Sequence, residues 1–512
     1  MRKRSRSRFL VADVIVVTAV AVLTIVLAGV SPSSRRRSVV RDASLTIGGP
    51  SNVRPMPPGF VGLSLELSAM EPYAGGNPLA IDPVFEQLIR NLNPGQSPVL
   101  RIGGDSADWT WWPVSRITQP PGVTYSLKDR WLRVTRALTQ ALGARLILGL
   151  NFEADNPELA AAEARAMADG IGSTAIEAFE LGNEPELYAT FAWYHTSDGR
   201  GVPGRSRGYS YAAFLQDYTS FASTLEASAG DTTLAGPATG GPGWTPNLAR
   251  FLAAAPRVRL VALHRYPTQL CFVSPASSRY PTIAHLLSND ASKGLADGFQ
   301  PSIETAHARG LPIRIDELNT VSCGADAAVS GTFASALWAL DALFELARVG
   351  ADGVNIHTFP GAGYELFKIA HANGRWQASV APQYYGLLMF AQAAPPGSRL
   401  LHVTGRAGSG LKVWATRAPD GTVRVVVINK GTHERVVSLR LPQPTDRATL
   451  TRLIAPSASA RAGVTFGGQS FRAPTTTGLL DGQPRVTTVE RGDRRFVVTL
   501  PSTSAALLTL DH

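Results

Sequence analysis

Between residue 57 and about residue 360 the chain repeats one unit eight times: a short apolar run of β type, then a stretch with helical periodicity. The runs are Phe60–Leu65, Pro98–Ile102, Arg145–Leu150, Ile176–Leu181, Thr233–Gly236, Val258–Leu263, Pro312–Asp316 and Gly353–His357. Several intervening helices are legible. Asp82-Pro83 is an N-cap followed by proline at the first helical position. Phe214, Tyr218, Phe221 and Leu225 mark one apolar face, and Phe333, Leu337, Leu340 and Phe344 mark another. Eight β/α alternations over roughly 300 residues fit an α/β fold of the (β/α)8 TIM-barrel type better than an open doubly wound sheet. No glycine-rich phosphate fingerprint follows the first run, which further disfavours a dinucleotide-binding fold.

Past residue 395 the helical period disappears. Leu411–Thr416 and Val423–Ile428 flank Pro419-Asp420-Gly421, a hairpin signal, and Val436–Leu441, Arg495–Leu500 and Ala505–Leu510 add further strands. The expected organisation is a barrel over 57–394 and an all-β sandwich over 395–512. Residues 43–56 are β-like and are expected to add a strand to the sandwich, and residues 31–42 read as a linker.

Net charge is +10, which raises the question of a polyanionic partner. Its distribution answers it. Residues 1–41 hold nine Arg/Lys against Asp13 alone, a net of +8, so the remaining 40 basic and 38 acidic groups net only +2. A nucleic-acid partner is therefore not expected. Within residues 1–30 a basic stretch precedes the apolar run Val14–Val30, and Arg35-Arg36-Arg37 follows. This reads as a signal peptide or an uncleaved membrane anchor; the run exceeds the usual ~7–15 residues of a signal core. Either way the body is expected outside the cytoplasm, secreted or membrane-anchored.

Two cysteines, Cys271 and Cys323, exclude a disulfide framework and a cysteine-rich zinc site. They follow the sixth and seventh runs, neighbours in a barrel, so an exported chain is expected to join them. Nine histidines show no paired metal-binding spacing, so no metal and no cofactor are expected.

Catalytic groups of such barrels sit at the C-terminal ends of strands. The fourth run leads into Glu180-Leu181-Gly182-Asn183-Glu184-Pro185, and the seventh ends Asp316-Glu317. Two carboxylates facing each other across a barrel mouth suit glycosidic cleavage, one as proton donor and one as base or nucleophile. Strand-end carboxylates that merely cap helices are the alternative for either alone. Other strand ends add Glu66, Asp105, Asn151, Glu153, His264-Arg265-Tyr266, His357 and Tyr364, with Trp109, Trp111 and Trp112 nearby. Acidic, amide and aromatic groups of this kind bind sugars; the tryptophans equally suit core packing.

From about residue 57 to the C-terminus the chain resembles glycoside hydrolase family 79, the heparanase and β-glucuronidase family of the retaining clan-A hydrolases. The likeness rests on Asn183-Glu184-Pro185, Arg101-Ile102-Gly103-Gly104, His264-Arg265-Tyr266, Glu317 and Gly361-Ala362-Gly363-Tyr364. It implies Glu184 as general acid/base and Glu317 as nucleophile. It further implies Asn183 at the sugar's 2-hydroxyl, Tyr266 bonded to the nucleophile, and Glu66 and Asp105 on other hydroxyls. A uronate carboxylate would meet the backbone at Cys323-Gly324 and the Tyr364 hydroxyl. The chain departs from heparanase in lacking a Gly-Gly-Gly run there and in placing its tyrosine directly after Gly363.

The leading expectation is an exported retaining hydrolase, exo-acting on glycans or glycosides with a terminal β-linked glucuronic acid. The alternatives are a clan-A glycosidase for a neutral sugar, such as a xylosidase or arabinofuranosidase, and a non-catalytic cell-surface carbohydrate-binding protein. A heparanase-like endo-enzyme ranks lower, because a body netting +2 is poorly matched to a dense polyanion.

Overall fold

The computed structural model describes residues 42–229, 233–441 and 445–510. The expected signal peptide or anchor therefore lies outside the described residues, as does nearly all of the linker. Among the described residues no helix is long and apolar enough to cross a membrane.

Eight parallel strands form a closed barrel: β1 (Val61–Glu66), β2 (Val99–Gly103), β3 (Arg145–Leu150), β4 (Ile176–Leu181), β5 (Leu234–Thr239), β6 (Val258–Arg265), β7 (Ile313–Leu318) and β8 (Gly353–Thr358). Each pairs with the next in sequence, and β8 closes onto β1. Outside, helix α1 (Pro83–Leu92) starts where Asp82 Oδ1 accepts from the Val84 N–H at 2.8 Å, with Pro83 in the first turn where no N–H is needed. It buries Val84, Phe85, Leu88, Ile89 and Leu92, the one-sided spacing of an amphipathic helix. Helix α2 (Tyr211–Ala229) likewise turns Phe214, Tyr218, Phe221 and Leu225 inward.

Helices α3 (Phe333–Val349) and α4 (Pro382–Ala393) are buried nearly all round because the β module packs over them. Trp414 of that module stacks on Phe344 at 5.5 Å, and its indole N–H donates to Asp341 of α3 at 2.8 Å. Lys430 bonds the other Asp341 oxygen at 2.6 Å. A single buried aspartate thus receives two donors from the module, so its charge is matched.

The expected all-β module is built from one ten-stranded sheet that curls on itself. Strand Ala43–Pro50 lies inside it, antiparallel to Arg399–Arg406 and parallel to Arg435–Arg440. Strand Arg399–Arg406 also pairs at its start with Leu411–Arg417, which carries the sheet round the bend. In Val423–Asn429 the residues Val423, Val425 and Val427 fill the module's own core, whereas Val426 and Ile428 join the barrel's. Both faces of this strand are apolar because both are covered.

Four small two-stranded sheets exceed the sequence expectation, two of them beside the strands that carry the mouth. A hairpin, Phe367–Ala372 with Arg375–Val380, follows β8 and turns at Asn373-Gly374, both at positive φ. Above the rim, Thr268–Gln269 and Val321–Ser322 pair in parallel, extending β6 and β7 upward.

Candidate active site

The barrel mouth is organised around a buried cation. Arg101, on β2 and without solvent exposure, donates through Nε to Glu180 Oε2 at 2.7 Å and through Nη1 to Glu317 Oε2 at 2.5 Å. Its Nη1 also reaches Ser64 Oγ at 3.1 Å, and Nη2 donates to Asn183 Oδ1 at 2.8 Å. One planar guanidinium therefore ties together β1, β2, β4 and β7, a task that suits arginine's fixed fork of donors.

Glu317 is held on both oxygens. Oε1 accepts from the Tyr266 hydroxyl at 2.9 Å, while Oε2 faces Arg101 and lies 4.0 Å from His357 Nδ1. Burial opposes its charge, but His357, Arg101 and His264 outweigh burial and hold the carboxyl well below the usual range. That shift favours its ionised form, the state that a carboxylate nucleophile needs.

Glu184 follows β4, three staves from β7, with φ at +48°, a left-handed backbone that costs a non-glycine residue roughly 1 kcal/mol or more. Its N–H donates to Ala238 O at 2.9 Å, which fixes the turn against β5. His264 Nδ1 stands 3.4 Å from Glu184 Oε1, and an oxygen of Glu184, a nitrogen of His264 and an oxygen of Glu317 all lie within 4.8 Å of one another. That closeness suits a carboxylate pair of the retaining kind, ~5–5.5 Å apart, rather than a pair spaced ~6.5–9.5 Å for an intervening water.

His264 does not fit its expected place among the substrate contacts. It is fully buried beneath the two glutamates, with Nε2 3.8 Å from Glu180 and 3.6 Å from Asp316. Burial and Arg101 disfavour its charge, yet Glu180, Glu184 and Glu317 prevail and raise its pKa. It is a support under Glu184, not a wall of the pocket. Asp316 beside it is pushed well up, by burial and by Glu180. Glu180, His264 and Asp316 converge with the spacing of metal ligands, but Arg101 already supplies a cation to Glu180 there.

Beside the pair, Glu66 and Asp105 meet as expected. Glu66 accepts from the Ser106 N–H at 2.7 Å and lies 3.3 Å from His357 Nε2. Gly104, at φ +67°, carries the chain past it; a Cβ there would fall 2.3 Å from Glu66 Oε1. Asp105 Oδ1 accepts from Asn183 Nδ2 at 2.8 Å. Burial, then Glu66, Glu317 and Glu184, push the Asp105 carboxyl up. The Asn183 amide is thus oriented from both sides, by Arg101 and by Asp105. Its N–H donates to Asp108 Oδ2 at 2.9 Å, an acceptor shared with the Tyr188 hydroxyl at 2.7 Å.

The third corner joins two loops. Cys323, Gly324 and Ala325 run at φ +64°, +92° and +59°. Two non-glycine residues thus adopt the conformation that a Gly-Gly-Gly run adopts without strain. Cys323 is bonded to Cys271, Cα to Cα 5.8 Å, which fastens the loop after β7 to the loop after β6. Gly363 touches the same loop: a Cβ on it would meet Ala325 Cβ at 2.9 Å and Ala327 N at 3.0 Å. The contact brings Tyr364 in, its ring 6.0 Å from Tyr266 and 5.9 Å from His357.

Residues that the strand-end search did not assign turn out to carry the electrostatics: Arg101, Glu180, Asp316, Asp108 and Glu186. Glu186 Oε1 accepts from the Gly240 N–H at 2.7 Å and from the Gly241 N–H. Burial and the nearby Glu184 push it up to about 7. A charged residue inside an apolar strand, as in Val-Leu-Arg-Ile or Ile-Arg-Ile-Asp, is the signal that finds three of them.

A barrel mouth with an anionic strand-end glutamate facing a second one has the make-up of a clan-A glycoside hydrolase, and comparison with known proteins agrees. Residues 413–507 match the glycosyl hydrolase family 79 C-terminal beta domain. A curated β-glucuronidase of Neurospora crassa is 21% identical, over 90% of this chain and 93% of that protein. A solved 4-O-α-L-rhamnosyl-β-D-glucuronidase from Fusarium oxysporum superposes with a TM-score of 0.73 at 19% identity, over 91% of this chain and all of that one. A family 51 arabinofuranosidase from Xanthomonas axonopodis pv. citri gives 0.64 at 14% identity, over 92% and 100%. The family match lies in the C-terminal β module, and the likenesses to the Neurospora, Fusarium and Xanthomonas proteins extend over at least 90% of this chain.

Proposed function

We propose that the protein is an exported, retaining, exo-acting β-glucuronidase, with Glu184 as general acid/base and Glu317 as nucleophile. The observation that carries the mechanism is the convergence of both carboxyls and His264 within 4.8 Å, with Arg101 and Tyr266 bonded to Glu317. In the first step Glu317 attacks the anomeric carbon while Glu184 gives its proton to the leaving oxygen, and the glycosidic C–O bond breaks. In the second, Glu184 takes a proton from water, whose oxygen displaces Glu317 from the sugar. Net retention follows from two inversions.

The choice of uronate rests on the corner between Tyr364 and residues 323–325, where a hydroxyl and a loop at positive φ stand together. The β-glucuronidase activities named for the Neurospora and Fusarium proteins point the same way. Buried Glu66, His357 and Tyr364 give the site an enclosed floor, which suits a terminal sugar. Export is supported by the basic and apolar N-terminal segment and by a bridge between Cys271 and Cys323. Uncleaved, Val14–Val30 would tether the enzyme to a membrane.

Nitrophenyl β-glucuronide and β-glucoside distinguish the readings. The glucuronide is expected to be preferred, and NMR of the first sugar released is expected to give the β-anomer. Equal or better cleavage of the glucoside would favour a neutral-sugar enzyme, and a first-formed α-anomer would refute the retaining pair.

A further inference from the structure

Outward from Glu184 the mouth opens into a cleft of about 760 Å³. The acid/base protonates the leaving oxygen, so the aglycone departs past Glu184 and along this cleft. Its rim is unusual. Phe191 and Phe272, from the loops after β4 and β6, are 44% and 64% exposed. Their rings touch at 5.6 Å between centroids, tilted by 52°, and form one apolar surface lining the cleft with Leu187 and Val273.

Exposed aromatics scattered singly need no explanation; two in contact beside a catalytic acid do. Phe272 also stands at φ +53°, a conformation rare for a bulky residue and costly to hold. Its neighbour Cys271 is bonded to Cys323, so the strained turn that holds the ring outward is anchored on both loops. The two cations of this wall are engaged by the protein. Arg265 lies 5.7 Å from the Phe299 ring centre, and Arg279 reaches the Gln269 side-chain oxygen at 3.2 and 3.3 Å once that amide is turned.

We propose that Phe191 and Phe272 form an aglycone platform that selects glucuronides of planar, apolar aryl alcohols over those of sugars. The proposal rests on the β-glucuronidase reading and specifies its substrate class. A flat ring system buries both phenylalanine faces, whereas a second acidic or neutral sugar leaves most of that surface in water.

The test compares kcat/KM of the full-length enzyme and the Phe191→Ala/Phe272→Ala double variant on three substrates: β-glucuronyl fluoride, a two-ring aryl β-glucuronide, and a glucuronyl disaccharide. Fluoride as leaving group reports the sugar site alone. The wild type is expected to cleave the aryl glucuronide faster than the disaccharide. In the double variant the aryl-to-fluoride ratio is expected to fall about 10-fold, mostly through KM. An unchanged ratio, or a wild type that prefers the disaccharide, would overturn the platform while leaving the glucuronidase reading intact. Failure of the wild type to cleave the fluoride would overturn that reading, and the platform with it. Phe272→Tyr, which keeps the ring, is expected to restore the ratio; a ratio as low as the alanine variant's would also count against stacking.

Discussion

Arg101 and Arg314 are both buried inside the barrel, one near each end. Arg314, at the start of β7, donates to Asn355 Oδ1 at 3.0 Å and to the carbonyls of Gly59 and Phe60 at 3.1 and 3.4 Å. All are neutral acceptors, and burial, with Arg145 adding to it, pushes its pKa down although Glu177, Asp316 and Asp352 act to raise it. Arg101, at the mouth, meets Glu180 and Glu317 directly; burial opposes its charge, but those carboxylates raise its pKa well above the usual value. The hydrogen bonds of a buried arginine in this barrel can therefore be met by carbonyls and an amide, with no carboxylate in direct contact. The carboxylates at the mouth are not needed to satisfy the cation; the cation is needed to keep a carboxylate ionised where water is scarce. The contrast separates a packing arginine from one that sustains chemistry.

The sharpest way to break this comparison is to remove the charge that Arg101 sustains. Glu317→Gln is expected to lower kcat at least about 1000-fold on every glycoside, because no other group can attack the sugar carbon. Residual activity within tenfold of wild type would disqualify Glu317 as nucleophile.

The next largest effect compares the arginines themselves. Arg101→Met leaves Glu180 and Glu317 buried without their cation and is expected to cost about 3–5 kcal/mol of stability and at least about 100-fold in kcat. Arg314→Met leaves only neutral acceptors unpaired, about 1–3 kcal/mol, with kcat within twofold of wild type. Denaturant melts and steady-state rates on both variants check the contrast. Arg101→Lys keeps the charge but not the fork, so it remains informative should the methionine variant fail to fold. Equal kcat losses at the two sites would erase the distinction.

A smaller effect appears in pH-dependent stability. The folded pKa of Glu317 is depressed below its unfolded value of about 4.3, so its ionisation stabilises the fold above that pH. The contribution is lost as pH falls toward the folded value. The stability gap between wild type and Glu317→Gln is thus expected to be widest near neutrality and to shrink below about pH 4. A gap that widens in acid would contradict the sustained charge.

The same division between packing and chemistry explains what the sequence disclosed. Barrel strands are legible because runs such as Leu146–Leu150 are buried on both faces and bounded by helical periodicity. Glu184 and Glu317 are legible because strand ends are where a barrel exposes polar groups. The place of His264 is not legible, because a strand-end histidine looks the same in sequence whether it faces substrate or lies beneath a carboxylate. The pairs Thr268–Gln269 and Val321–Ser322 are too short to carry a period. The hairpin at Asn373-Gly374 did carry a turn signal, hidden by the assumption that everything up to residue 394 was barrel. The curled sheet needed strand pairings that span the whole module, such as Ala43–Pro50 with Arg399–Arg406.

The least of the expected effects sharpens the comparison where substrate charge enters. Arg101 is committed to Glu180 and Glu317, so it has no fork left for a uronate carboxylate. On the proposed reading, that carboxylate is met by neutral donors, the Tyr364 hydroxyl and the backbone of the loop at 323–325, which Gly363 lets approach. Burial, followed by Glu317, pushes the Tyr364 hydroxyl up, so it remains a proton donor at any pH the enzyme meets. Tyr364→Phe removes one such donor and leaves the ring's contacts with Tyr266 and His357 available. Loss of one hydrogen bond to a charged group narrows the β-glucuronide over β-glucoside preference by about 1–2 kcal/mol, roughly 5- to 30-fold in kcat/KM. The loss should fall on the glucuronide, with glucoside rates nearly unchanged. A proportional loss on both substrates would mean that Tyr364 acts by holding Tyr266, not by meeting the carboxylate.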